Sequence, residues 1–146
     1  METKKVEVSF SPALFSSYYH ENECNVVIVD VFRATSAICT AFHHGVKEII
    51  PVATVEEARA YKKEGYLVGA ERNGQIVEGF DFGNSPYSYM DDSIKGKSIV
   101  LTTTNGTKAI TIAKEAKGIF IGSFLNLKAL ADFLIEDGAY IVRLKT

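Results

Sequence analysis

Charged and hydroxyl side chains stand directly after several apolar runs of the sequence. Asp30 and Arg33 come at the end of the first such run, Glu71 and Arg72 after a later one, and the hydroxyl-rich segment 102–107 after a third. An arginine side chain offers a planar fork of donors to phosphate oxygens. Carboxylates are the oxygen ligands that Mg²⁺ prefers. The residue types therefore predict a site for a phosphate group and a hard cation.

Two parts of this site can be assigned from the residue types. The segment 104–107 (Thr-Asn-Gly-Thr) begins a predicted helix, so its hydroxyls and free backbone amides can bind an anion. Asp30, Glu71 and Asp81 are the carboxylates available to the cation. A Mg²⁺ ion bound between them would neutralise negative charge on a phosphoryl group.

Apolar runs alternate with segments of helical pattern along the whole chain. We predict strands at 24–31, 47–53, 66–70, 98–102, 118–122 and 139–144. We predict helices at 35–44, 55–64, 107–116 and 127–136. Pro51 places the second strand at a sheet edge or a strand end. Thr54 and Glu57 form a capping-box pattern, and Asn126 is the predicted cap of the last helix.

This alternation predicts an α/β fold, in which a mostly parallel sheet carries helices on both faces in three layers. The carboxyl ends of parallel strands share one edge of the sheet, where ligands bind. Asp30, Arg33, Thr35, Glu71 and the segment 102–107 would meet there.

Composition excludes several other classes of protein. The 146 residues are 47% apolar with a formal net charge of -2, which is typical of one globular domain and gives no basic surface for nucleic acid. Neither a membrane-spanning run nor a secretory leader is present in the sequence, so we expect a cytoplasmic protein. The expected partner is a small anionic phosphorylated substrate, and homo-oligomer formation stays open.

Each candidate residue also has a plain structural interpretation. Asp30 can be a turn or capping residue, and Arg33 can simply pair with a carboxylate. Glu71 and Arg72 can form a solvated charge pair. The threonines at 102–104 suit a strand, and the segment 83–86 by itself reads as a turn. No single one of these residues distinguishes its structural interpretation from a functional one.

Five segments together resemble one known family, the 2-phosphosulfolactate phosphatases. The segment VDVFRATS at 29–36 is similar to the family's VDVLRATS. The segment GAERNG at 69–74 resembles its GERGG-type turn, and FDFGNSP at 80–86 its FDLGNSP motif. The segment TTTNGTKA at 102–109 matches TTTNGT[RK]A, and GSFLN at 122–126 fits more weakly. The similarity covers roughly residues 24–135.

The resemblance implies a Mg²⁺-dependent phosphatase that hydrolyses 2-phospho-3-sulfolactate to 3-sulfolactate and phosphate, a step of coenzyme M biosynthesis. Asp30 and Glu71 would hold the metal. The expected catalytic residues are Asp30, Arg33, Glu71 and Arg72. The expected substrate-binding residues are Thr35, Asn84, Ser85, Thr103, Thr104, Asn105, Gly106 and Thr107. Direct attack of a carboxylate on phosphorus and activation of a water molecule are both open.

The C-terminal end departs from the family pattern. Family members continue through a further α/β portion with a Cys-Ala-Gly strand and a Glu-Asp motif, which residues 138–146 do not resemble. We therefore expect residues 1–146 to be a single α/β domain equivalent to the N-terminal part of the family's chain. The alternative function is a non-catalytic anion-binding domain that needs the C-terminal portion for turnover.

Overall fold

The computed structural model describes residues 5–17, 24–103, 105–138 and 140–145 and arranges them as alternating strands and helices. The strands are β1 (Val6–Ser9), β2 (Cys24–Val29), β3 (Glu48–Pro51), β4 (Leu67–Arg72), β5 (Gln75–Ile76), β6 (Ser98–Thr102), β7 (Gly118–Gly122) and β8 (Tyr140–Lys145). The α-helices are α1 (Ala34–His43), α2 (Val55–Lys63), α3 (Gly106–Ile112) and α4 (Leu127–Asp137). Short 3₁₀ helices span Pro12–Ser17, Pro86–Tyr89, Asp92–Ile94 and Phe124–Asn126. Among these described helices, none is long and apolar enough to cross a membrane.

The strands are divided between two sheets. The first sheet has the order β1-β8-β2-β7 and is parallel throughout. The second has the order β3-β6-β4-β5, and only its β4–β5 pair is antiparallel. The predicted α/β class with mostly parallel strands is confirmed. The division arises because the chain leaves the first sheet after β2, builds the whole second sheet, and returns with β7 and β8.

Helices cover both faces of each sheet, as the three-layer prediction requires. In the second sheet, Ala41 of α1 packs in one core with Ile99, while Ala58 of α2 packs in another with Val68. In the first sheet, Ala109 of α3 packs against the apolar side chains of β2. Helix α4 lies at the opposite face, where Leu134 is buried. Burial on both faces explains why β2 is an almost continuous apolar run.

Local signals in the sequence set most element ends. Pro51 ends β3, which is an edge strand, as predicted. The capping box is confirmed, since the Glu57 amide donates to the Thr54 hydroxyl over 3.1 Å and the Glu57 carboxylate accepts from the Thr54 amide over 3.2 Å. Asn126 stands at the N-cap position of α4 as predicted, but its side chain makes no capping hydrogen bond to this helix and accepts instead from the Ser123 amide over 2.9 Å.

Candidate active site

A polar cavity of about 190 Å³ opens where the loops after β2, β4 and β6 come together. We call it the polar cavity. Its lining residues are Asp30, Phe32, Arg33, Glu71, Asn73, Asn84, Thr103 and Asn105. Six of these eight were predicted as site residues from the sequence, and Phe32 and Asn73 were not. The cavity therefore draws on both sheets, although the prediction assumed one.

The Thr35 hydroxyl shapes the loop that carries Asp30. This hydroxyl donates to the Asp30 carbonyl over 2.7 Å and accepts from the Asp30 amide over 3.1 Å. One residue further, the Ser36 hydroxyl donates to the Val31 carbonyl over 2.8 Å. The loop also contains a cis peptide bond between Phe32 and Arg33. Thr35 is buried below the loop and does not line the polar cavity, so it positions Asp30.

Arg33 and Glu71 form an ion pair that joins the two sheets at the cavity. The Arg33 guanidinium donates to Glu71 Oε1. The Arg33 side chain is 43% exposed, whereas that of Glu71 is only 13% exposed. Glu71 is thus a mostly buried carboxylate whose charge is balanced by a more exposed arginine side chain.

The second oxygen of Glu71 holds the loop that carries Asn84. Glu71 Oε2 accepts a hydrogen bond of 3.2 Å from the Asn84 amide. The preceding segment runs beside β4, where the Ala70 amide donates to the Phe82 carbonyl over 2.9 Å. The Tyr89 hydroxyl anchors the same loop by donating to the Gly83 carbonyl over 2.7 Å.

The side-chain oxygen of Asn84 is unusual in this site. Asn84 Oδ1 is fully buried and accepts no hydrogen bond from the described residues. A buried acceptor without a partner costs roughly 1–3 kcal/mol. This oxygen lies beside the cavity that Asp30 and Glu71 line. A bound cation, or a ligand with a hydrogen-bond donor, would give it the partner that the described residues do not supply.

Thr103 presents a hydroxyl to the cavity in a fixed orientation. Its Oγ1 accepts from the Gly106 amide over 2.9 Å, and its carbonyl accepts from the Thr107 hydroxyl over 2.6 Å. Gly106 and Thr107 therefore donate hydrogen bonds to the hydroxyl and the carbonyl of Thr103. Both residues line a neighbouring apolar cavity together with Thr35. Thr103 and Asn105 line the polar cavity, whereas Thr104, which was also predicted to bind the substrate, lies outside the described residues.

Three further predicted residues lie away from the polar cavity. Arg72 donates to the Glu71 carbonyl over 2.8 Å and to the Thr102 hydroxyl over 3.5 Å, so it ties β4 to β6. Ser85 precedes the 3₁₀ helix Pro86–Tyr89. Asp81 accepts from Lys62 over 2.6 Å and from the Val68 amide over 2.8 Å, so its carboxylate braces β4 against α2.

Asn73 lines the cavity and has a polar side chain, but it was not predicted as a site residue. It has a φ of 54° and forms the turn between β4 and β5 with Gly74. Asparagine tolerates this left-handed conformation better than most residues. The signal was present in the sequence, because an Asn-Gly turn directly after Glu71 and Arg72 must lie at the same strand end.

Burial raises the pKa of two groups around the cavity. Burial raises the pKa of Asp30, an effect opposed by the Ala34 amide, the Arg33 charge and the Phe32 amide. Burial and the nearby charge of Glu71 raise the pKa of Tyr89 well above its usual range. Tyr89 therefore stays a hydrogen-bond donor to the Gly83 carbonyl at neutral pH.

The oxygen donors define what metal the site can hold. Within the described residues there is no group of three or more His, Cys, Asp and Glu side chains placed to bind one ion. Asp30, Glu71 and Asn84 line one cavity, and the buried Asn84 Oδ1 is a third hard oxygen beside the two carboxylates. Mg²⁺ uses one or two carboxylates and completes its shell with water and substrate oxygens, so this donor set fits Mg²⁺ and suits a soft metal poorly.

Fold and cavity together define an α/β protein with a mixed-charge polar site at the carboxyl ends of parallel strands. The profile of the family described as 2-phosphosulpholactate phosphatase matches residues 10–144, and the chain belongs to this family.

Relatives named "Probable 2-phosphosulfolactate phosphatase" support this assignment. The relative from Clostridium acetobutylicum is 49% identical over 114 residues, which cover 75% of this chain and 48% of the relative. The relative from Thermotoga petrophila is 50% identical over 113 residues, covering 77% of this chain and 49% of the relative. This chain spans about half the length of these relatives.

Proposed function

We propose that this chain carries the phosphate-binding site of a Mg²⁺-dependent phosphomonoester hydrolase that converts 2-phospho-3-sulfolactate to 3-sulfolactate and phosphate. The observation that carries the proposal is the polar cavity, in which Arg33 and two carboxylates meet at the ends of parallel strands. The family and its relatives' names support the reaction. We also propose a cytoplasmic location, as the sequence predicts, and a role in coenzyme M biosynthesis, as the family resemblance implies.

Arg33 is the residue that we assign to the phosphoryl oxygens. Its side chain is 43% exposed and lines the cavity, so the guanidinium can contact an incoming anion while one nitrogen still pairs with Glu71. Donors placed where negative charge increases in the transition state typically contribute 10²–10³-fold to the rate. The Thr103 hydroxyl adds a second donor, since its oxygen already accepts from the Gly106 amide.

Asp30 and Glu71 are the residues that we assign to the metal, with Asn84 Oδ1 as a third oxygen donor. When bound, Mg²⁺ supplies charge neutralisation for the phosphoryl group. The protein's own contribution is to fix the three oxygens. Thr35 fixes the Asp30 backbone, and Glu71 Oε2 together with Tyr89 fixes the loop of Asn84.

The test is phosphate release from 2-phosphosulfolactate by the 146-residue chain, with Mg²⁺ and with EDTA. We expect release in Mg²⁺ and its loss in EDTA. Equal rates in the two conditions would reject the metal assignment. Calorimetric binding of sulfolactate and Mg²⁺ without any release would favour the anion-binding alternative over the phosphatase.

Asp30→Asn supplies the variant for the same assay, because it keeps the size of the side chain and removes its charge. We expect its rate to fall at least a hundredfold. Asp81→Asn is the matched control, since the Asp81 carboxylate braces β4 away from the polar cavity. The proposal predicts that the Asp81 variant keeps its rate under conditions where it is folded.

A further inference from the structure

A second, larger cavity adjoins the polar cavity on the other side of Arg33. We call it the apolar groove. It has a volume of about 800 Å³ and lies between α1, the 3₁₀ helix Pro86–Tyr89 and the 3₁₀ helix Phe124–Asn126. Phe32 and Arg33 line both cavities, so the groove continues directly from the proposed phosphate site.

Large apolar side chains stand exposed along this groove. Phe32 is 91% exposed, Tyr87 82% and Phe124 75%, and Met90 and Leu125 accompany them. Single exposed apolar residues are ordinary on protein surfaces, but a contiguous group of them marks a binding surface. These residues come from three separate segments of the chain, so the fold itself assembles the group.

The sizes of the two cavities suggest how a substrate divides between them. Sites that enclose a drug-sized organic molecule have volumes of roughly 300–1,000 Å³. The polar cavity, at about 190 Å³, lies below this range and suits a phosphate group with its ion. The apolar groove, at about 800 Å³, lies within it.

The charges along the groove are compatible with the organic group of a negatively charged phosphate ester. Its charged and titratable lining residues are Arg33, His43, His44, Cys39 and Tyr87, and its described lining includes no Asp or Glu. His43 and His44 lie at the end of α1, with their rings 5.4 Å apart. An anionic ester therefore meets no fixed negative charge along the groove.

We propose that the apolar groove binds the organic part of a phosphomonoester whose phosphate occupies the polar cavity, and that among esters without a sulfonate the site prefers those with an extended apolar or aromatic group. The inference rests on the proposed phosphatase function and widens its substrate class beyond a short sulfonated acid. Phe32 is placed at the junction, where it contacts the first carbons of the organic group.

Kinetics on a matched pair of esters test this preference. Ethyl phosphate and 2-phenylethyl phosphate have primary alcohol leaving groups of similar acidity, so they differ mainly in apolar surface. We expect kcat/KM to be at least tenfold higher for 2-phenylethyl phosphate, since each buried methylene contributes roughly fourfold in binding. Equal kcat/KM values for the two esters would overturn the proposal.

Tyr87→Ser is the variant that reports on the groove. Tyr87 is 82% exposed, so its loss leaves the core intact. We expect the ratio of the two kcat/KM values to fall about fivefold or more. Phe10→Ser is the matched control, because Phe10 is an aromatic residue with 71% exposure that lies outside the groove. A ratio that Tyr87→Ser leaves unchanged would contradict the assignment.

A binding measurement separates this inference from the phosphatase activity itself. Ethylphosphonate and 2-phenylethylphosphonate cannot be hydrolysed, and calorimetry gives their affinities in Mg²⁺. A tenfold preference for the phenyl compound that Tyr87→Ser removes supports the groove, even in a chain that releases no phosphate. Equal affinities overturn the groove, even in a chain that is an active phosphatase.

Sedimentation of the same proteins tests the competing occupant, a second copy of the chain. A dimer that Tyr87→Ser dissociates, with no change in phosphonate preference, would make the groove a subunit interface and overturn the proposal. A preference that is independent of protein concentration supports ligand binding in the groove.

Discussion

Arg33, in the loop after β2 of the first sheet, forms an ion pair with Glu71, near the end of β4 in the second sheet. The two residues are 38 positions apart in the sequence. The pair bridges two sheets that share no strand, and the polar cavity lies at this bridge. The geometry of the candidate site therefore depends on the packing of one sheet against the other.

The first prediction concerns the replacement of Arg33. Arg33→Ala should lower kcat/KM for 2-phosphosulfolactate roughly a hundredfold or more, because a charged donor to the phosphoryl group is lost. Its free energy of unfolding should fall by about 1 kcal/mol or more, because Glu71, whose side chain is only 13% exposed, loses the charge that balances it. Phosphate release and urea unfolding measure the two effects.

Two further variants control that experiment. Arg33→Lys keeps the charge but not the planar fork of donors, so it should recover part of the activity. Arg59→Ala removes an arginine that contacts the Glu78 carbonyl and the Phe80 ring away from the cavity, and should keep the wild-type rate. If Arg33→Ala turned over as fast as wild type, the phosphate assignment of Arg33 would be wrong.

The second prediction concerns Asn84 and ion binding. Asn84→Ala should weaken the affinity for Mn²⁺, used as a probe for Mg²⁺, by roughly tenfold or more. Without the ion its melting temperature should not fall, because Oδ1 has no partner and the backbone amide keeps its bond to Glu71. Asn84→Asp retains an oxygen at this position and should retain the affinity. Calorimetry that showed equal Mn²⁺ affinity for the alanine variant would exclude Asn84 as a ligand.

The third prediction concerns the anchor of the Asn84 loop. Tyr89 is 1% exposed and its hydroxyl donates to the Gly83 carbonyl. Tyr89→Phe should lower the free energy of unfolding by roughly 1–3 kcal/mol, because a buried carbonyl loses its donor. Tyr66→Phe is the control, as Tyr66 is half-buried and its hydroxyl makes no hydrogen bond with the described residues. Urea unfolding of both variants provides the comparison, and equal stabilities would show that the Tyr89 bond is replaced by solvent.

Local features of the fold could be predicted because a few neighbouring residues determine them. The capping box of Thr54 and Glu57 involves residues three positions apart, and the edge position of β3 follows from the missing amide hydrogen of Pro51. The apolar run of β2 (Cys24–Val29) was enough by itself to predict this strand. Polar residues at strand ends then gave six of the eight residues that line the polar cavity.

The remaining features depend on contacts that neighbouring residues do not encode. The division into two sheets depends on which strands pair, and strands of similar composition can pair in many orders. β1 has only four residues and includes the charged Glu7, and its pairing with β8 joins opposite ends of the chain. The orientation of the Arg72 side chain could not be predicted either, because it depends on a hydrogen bond to the Thr102 hydroxyl thirty residues away in the sequence.

The last prediction concerns the pH dependence that Asp30 confers in the absence of metal. Burial raises the pKa of Asp30 above the value of about 3.9 that it has in an unfolded chain. The folded state then binds a proton more tightly than the unfolded state. The stability linked to this proton is complete below the unfolded pKa and is lost as the pH rises through the folded pKa.

Asp30→Asn removes this loss, because the amide carries no charge at any pH. In EDTA at about pH 7 the variant should melt at a higher temperature than the wild type, and the difference should vanish below about pH 3.9. Added Mg²⁺ should raise the melting temperature of the wild type and leave that of the variant unchanged, since an ion that binds only the folded state stabilises it. Thermal unfolding from pH 3 to 8, with and without Mg²⁺, measures all three effects. A variant that melts below the wild type in EDTA at neutral pH would show that the Asp30 charge is favourably solvated in the free protein.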